Sequence, residues 1–151
     1  MDQTAQKVAQ VFQQQNNIHL VDMLNPITLE NPAGTSLRDS EVYQHIQEAR
    51  QQDDQSTPRG VWEFDMRRAN WDTVYDLASK AISDRSKDLQ LAAWMMEAQL
   101  MRVGFASIAP SIQLIIELCE HYWDDAHPQI DDGDSEHRSN IISWINNKLS
   151  I

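Results

Sequence analysis

The chain has 151 residues, and its 12 basic and 23 acidic side chains give a formal charge of −11 at pH 7, which repels nucleic-acid phosphates and anionic lipid surfaces alike. The length suits one compact domain, and an apolar fraction of 41% with five Trp and six Met is enough to close a core. A lone Cys119 excludes an internal disulfide, the start MDQTAQKVAQVFQQQ lacks the apolar stretch of a secretory signal, and the apolar run LAAWMM at 91–96 is far short of the roughly 20 residues of a membrane span. A soluble cytoplasmic protein is expected, with neither nucleic acid nor direct membrane insertion.

Residues 4–15 read as a weak, glutamine-rich helix with Val8, Val11 and Phe12 on one face. A short apolar patch at 18–24 leads into a loop punctuated by Pro26, Pro32 and Gly34. The next helix starts between Ser36 and Ser40, carries Val42, Ile46 and Ala49 with Tyr43 alongside, and frays by Asp53-Asp54. Turn chemistry follows at 55–60 (QSTPRG). Asn70 is a good N-cap for a helix in which Trp71, Val74, Tyr75, Ala78, Ala81 and Ile82 recur on one face.

The turn at 84–86 then precedes a helix over 88–103, with Ser86 as cap of the Leu89 N–H and Asp88 in the first turn. This helix is apolar nearly all round, including Trp94, and belongs in the middle of the molecule. Gly104 is placed to end it with a positive φ. Pro110 suits the first turn of a helix running to about Asp124, with Ile112, Ile115, Ile116, Cys119 and Tyr122 or Trp123 turned inward. After the polar loop 131–134 comes a last helix holding Ile141, Ile142, Trp144 and Ile145. No segment alternates with period two, so the expected fold is all-α: a single compact bundle of five to seven helices with short loops.

The densest chemistry lies at 119–128 (CEHYWDDAHP). His121 and Asp125 share a helix face and His127 follows, so three metal ligands are conceivable. The spacing matches neither HExxH nor paired CxxC, and Pro128 forces His127 out of the helix. The structural reading is that Tyr122 and Trp123 bury ring surface at the helix end, His127 bonds a terminal carbonyl and Pro128 stops the helix. Glu97, alone on an apolar helix, is either a general base or the partner of Arg67, Arg68 or Arg85. The pairing is the expectation. Ser83 and Ser86 near Lys80 and Lys87 lack the Ser-x-x-Lys spacing of a nucleophile site, and the four scattered glycines form no phosphate-binding loop. No catalytic residue, metal or cofactor is expected.

The segments NPAGTSLRDSEVYQHIQEARQQDD, GVWE (60–63), RANWDTVYDLA (68–78), RSKDLQLAAWMMEA (85–98), GF (104–105) and HYWDDAHP, closed by SWINN (143–147), occur in an order that resembles the ImpA N-terminal domain, the amino-terminal module of TssA-type proteins of the bacterial type VI secretion system. The resemblance covers residues 25–147, with 1–24 as a helical extension and 148–151 as a tail or the start of a linker to an absent carboxy-terminal region. It implies an all-helical, non-enzymatic protein-interaction domain whose partners are baseplate, membrane-complex, sheath or inner-tube proteins, with homo-oligomerisation as a further option. The alternative it implies is a TagA-like accessory protein that caps the distal sheath end by self-association. Its motif residues Trp62, Trp71, Arg85, Ser86, Lys87, Asp88, Trp94, Trp123, His127 and Pro128 carry structural expectations: the Trp62, Trp71 and Trp94 rings in the core, Arg85, Lys87 and Asp88 near the surface holding the interhelical turn by ion pairs, and Trp123, His127 and Pro128 as a helix terminator packed on the core.

Overall fold

The computed structural model describes residues 3, 20–51 and 68–150. The expected helix at 4–15 and the placement of Trp62 lie outside the described residues. Within them the chain is all-α, with six α-helices, one 3-10 turn and only isolated β-bridges.

Helix α1 (Leu20–Leu24) is one short turn that buries Leu20 and Met23. Helix α2 (Glu41–Arg50) starts where Ser40 accepts the Tyr43 N–H, and it buries Tyr43 and Ile46. Helix α3 (Trp71–Asp84) is capped by Asn70, whose Oδ1 takes the Thr73 N–H at 3.1 Å. Its Val74, Tyr75, Ala78, Ala81 and Ile82 are buried and Trp71 partly so, as the period of the sequence dictates.

Helix α4 (Leu89–Val103) is the axle of the molecule, with every residue from Leu91 to Gln99 buried. It packs against α3, against α5 (Ile108–Tyr122) and against α6 (Glu136–Leu149), while α1 bridges α3 and α5. A helix with neighbours on several sides has no polar face to spend on water, which is why its sequence shows so little amphipathic contrast. Gly104 ends it at φ 90° and ψ −161°, a conformation that side chains disfavour.

The last two helices depart from the expected registers. On α5 the buried stripe is Ser111, Leu114, Ile115, Leu118 and Tyr122, so Ile116 is largely exposed and Ile112 and Cys119 are half-buried. Two apolar stripes coexist on that helix and share Ile115; the positions of α4 and α1 decide which one is covered. Trp123 lies beyond the helix end with its ring 47% exposed, whereas Tyr122 is buried and its hydroxyl donates to Leu24 O at 2.5 Å. On α6 Ile141 and Ile145 are buried, Trp144 is half-buried and Ile142 is exposed.

Candidate functional site

Three loops that are remote in sequence meet beside α4. The backbone at Gly34 pairs antiparallel with Ser86, and Asp88 pairs parallel with His127. The bonds between them are Lys87 N–H to Ala33 O at 2.7 Å, His127 N–H to Lys87 O at 2.9 Å and Leu89 N–H to His127 O at 2.8 Å. A two-bridge clasp of strand-like loops thus lies inside a helical protein, and it satisfies backbone groups that a buried loop would otherwise leave unpaired. Gly34 has φ 72°, and a Cβ there would lie 2.0 Å from the Arg85 carbonyl oxygen. Only glycine lets these two backbones approach so closely.

The clasp turns two charged side chains of the 85–88 segment inward, contrary to the surface position expected for them: Lys87 and Asp88 are 0% and 1% exposed. Lys87 Nζ donates to Met23 O and Ile82 O, both at 2.7 Å, and lies 5.8 Å from the centre of the Tyr122 ring. The ammonium therefore caps the carboxy-terminal carbonyls of α1 and α3 together, where the helix dipoles favour a cation. Burial nevertheless lowers its pKa to about 8. Asp88, not Ser86, is the N-cap of α4: its Oδ1 accepts the N–H groups of Gln90 at 2.7 Å and Leu91 at 3.3 Å, and its Oδ2 accepts the Tyr43 hydroxyl. The expected Ser86 bond to Leu89 is absent because that N–H is taken by His127 O. Ser86 Oγ is buried with no partner among the described residues. Burial raises the Asp88 pKa although its three donors pull it down, and burial, followed by the Asp88 charge, raises that of Tyr43. Arg85 is the member of the segment that stays exposed.

His127 points inward too. Its Nε2 contacts Gly34 O at 2.9 Å, as donor, so it ties the clasp across 93 residues and does not cap its own helix as expected. The carbonyls after α5 are instead gathered by Arg138 of α6, which donates to Trp123 O at 2.5 Å, Ala126 O at 2.6 Å and Pro128 O at 2.7 Å and lies 4.7 Å from the Trp123 ring centre. Burial lowers the Arg138 pKa. The His127–Pro128 peptide bond is cis. His121 is exposed and bonded to Glu117 at 3.0 Å, and Asp125 is exposed. His127, turned inward, is thus separated from the exposed His121 and Asp125, and no group of three His, Cys, Asp or Glu side chains is placed to hold a metal among the described residues.

Against the clasp lies a cleft of about 360 Å³ between α2, α4 and α6. Its floor is Tyr43, Trp94, His127 and Ile141, and Arg50 and Trp144 form one wall. Trp94 is 5% exposed and meets Tyr43 edge to face at 5.0 Å. The Arg50 guanidinium lies 5.3 Å from the Trp94 ring centre and 5.4 Å from that of Trp144. It also pairs with the buried Glu97 at 2.6 Å, and Lys148 reaches the same carboxylate at 3.1 Å. Among the described residues Glu97 does find a basic partner as anticipated, but from α2 and α6, not from Arg68 or Arg85, because its side of α4 faces the end of α2; Arg67 lies outside the described residues.

Of the motif residues read from the sequence, Ser86, Lys87, Asp88, His127 and Pro128 converge on the clasp and Trp94 on the adjoining cleft. Trp71 and Trp123 stand apart, and Arg85 lends its carbonyl to the clasp while its side chain stays outside. Sequence reasoning missed Gly34 as the clasp's glycine, Tyr43 as the Asp88 partner, and Arg138. Gly34 carried a signal as one of only four glycines; Arg138, in a polar run, carried none.

The family model described as ImpA, N-terminal, type VI secretion system matches residues 24–147. The type VI secretion system component TssA1 of Pseudomonas aeruginosa is 32% identical over 78 residues, covering 50% of this chain and 22% of that protein. Among solved structures, the N-terminal domain including the conserved ImpA_N region of the TssA component from Burkholderia cenocepacia superposes with a TM-score of 0.73 at 32% identity, over 86% of this chain and 47% of that one. The chain thus spans less than half the length of either relative.

Proposed function

The chain belongs to the ImpA N-terminal family of the type VI secretion system, and from that membership we propose that it is a non-enzymatic docking module of a TssA-type component, binding baseplate, membrane-complex, sheath or inner-tube proteins during assembly of the contractile tail. Residues 25–147 form the module in this reading, 1–24 extend it, and its work is done in the cytoplasm. One observation supports it above the others. The most reactive-looking side chains, Lys87, Asp88 and His127, are buried and bonded to backbone groups and, for Asp88, also to the Tyr43 hydroxyl, so their chemistry is used in closing the fold and recognition is left to the outer surface. The test is capture on the immobilised chain of purified baseplate, membrane-complex, sheath and tube proteins. At least one should be retained; failure of all of them with a folded sample refutes the docking role.

A second reading is self-association at the distal sheath end, as in a TagA-like cap. It is favoured by the exposed Met101, Val103 and Phe105 around the end of α4. Light scattering over a concentration series decides it, since a mass that stays monomeric throughout removes it.

A further inference from the structure

The lining of the cleft between α2, α4 and α6 does not share the acidic excess of the chain, with Arg38 and Arg50 set against Asp88. The chain as a whole carries −11, yet Arg38, Arg50 and His137 all line this one depression. Among the described residues Asp88 is the only carboxylate in the lining, and both of its oxygens are already bonded, to Tyr43, Gln90 and Leu91. Arg38 is exposed and makes no ion pair among the described residues. Arg50 commits Nε and Nη2 to Glu97 and keeps its plane beside two indoles. Beneath the two arginines lie Tyr43, Trp94 and Ile141, each buried on its helix. A volume of about 360 Å³ is at the small end for a binding pocket. It suits one or two side chains of a peptide and excludes a folded surface.

Resting on the docking reading, we propose that this cleft takes a short acidic segment of a partner protein, in which a carboxylate side chain meets Arg38 and a neighbouring bulky apolar side chain packs against Trp144 and Ile141. Desolvated arginine and aromatic groups at the centre of a contact are the side chains that carry most binding energy, and a cationic rim on an acidic body selects for an acidic ligand against the repulsion of the whole.

The experiment uses the 151-residue chain and three capped peptides, GDLFEG, its charge-reversed form GKLFKG, and the apolar-deleted GDSSEG, with calorimetric titration and amide and indole chemical-shift mapping. GDLFEG should bind saturably, with shifts centred on Arg38 and the Trp144 indole, and the other two should not. Arg38→Glu, at an exposed position that leaves the core intact, should weaken GDLFEG by about tenfold or more and admit GKLFKG; Trp144→Ala should weaken GDLFEG as well. No saturation at millimolar peptide, equal binding of GKLFKG, or shifts centred elsewhere overturns the proposal. Binding that appears only when residues 61–65 (VWEFD) are replaced by glycine and serine assigns the cleft to the chain's own segment, and shifts at these residues that grow with protein concentration alone assign it to a second copy; either result also overturns it. Capture of secretion proteins separates the two levels: capture unchanged by Arg38→Glu sinks the cleft and leaves the docking role standing, whereas no capture by the wild-type chain sinks the docking role itself.

Discussion

Replacing Lys87 by Met removes a buried ammonium while nearly conserving volume, and its effect should depend on pH. The variant leaves Met23 O and Ile82 O without their donor, at about 1–3 kcal/mol for each unsatisfied buried carbonyl, hence about 2–6 kcal/mol for the pair. Against this, the wild type at pH 7 bears the penalty of holding a charge away from water. Burial lowers the lysine from 10.5 to about 8, a gap equivalent to about 3 kcal/mol. The two effects nearly offset at neutral pH, and Lys87→Met should destabilise there by only about 1 kcal/mol. Between pH 8 and 10.5 the unfolded chain holds a proton that the native chain has released. Wild-type stability therefore rises with pH through that window, and the neutral amine still donates to both carbonyls. The variant has no such gain, so its deficit should widen by about 2–3 kcal/mol from pH 7 to pH 10. Urea unfolding followed by tryptophan fluorescence at each pH measures this directly. A deficit that is constant from pH 7 to 10, or one that shrinks, refutes the view that a desolvated cation joins the ends of α1 and α3.

Gly34→Ala should be severely destabilising, because the positive φ alone costs about 1–2 kcal/mol and the new methyl overlaps the Arg85 carbonyl; failure to see a lowered melting temperature would refute the close backbone approach. Arg138→Met strands the carbonyls of Trp123, Ala126 and Pro128 and should cost about 3 kcal/mol or more, with Arg138→Lys recovering only part because one ammonium cannot reproduce the planar fork; chemical denaturation of both variants checks the order. Trp94→Ala should cost about 3–5 kcal/mol, as expected of a ring 5% exposed against Tyr43, and a loss below 1 kcal/mol by the same measurement would mark it as a surface anchor.

Helices with a single buried face were legible in advance. Asn70 and the spacing of Val74, Tyr75, Ala78, Ala81 and Ile82 specified the start and the buried face of α3, though the helix runs on through Asp84, where the turn was expected, and the all-round apolarity of α4 placed it centrally. The register of α5 was not legible, since Ile112, Ile116 and Cys119 compete with Leu114 and Leu118 on hydrophobicity alone and only the neighbouring helices break the tie. The inward turn of Lys87 and Asp88 was hidden for a different reason. Charged residues next to a helix start ordinarily face water, and what draws these two inside are partners 64 and 45 residues away, Met23 and Tyr43. The family resemblance carried no information on how Lys87, Asp88 and His127 are oriented, and the cleft beside them is a product of packing among α2, α4 and α6 that no local pattern announces.

The clasp also governs how the polypeptide can be cut. Helical bundles commonly close through neighbours in sequence and fold quickly for that reason, but here the middle of the chain is held by backbone from near residue 33 and again from residue 127. A fragment that stops before the second of these would leave the buried Lys87 carbonyl and Leu89 N–H without their His127 partners and Gly34 O without its imidazole, so no single helical hairpin of this protein is a foldable unit. Engineers who wish to graft or shorten the module must carry the span from Met23, which receives the Lys87 ammonium, to Arg138, which gathers the carbonyls after α5, as one indivisible piece.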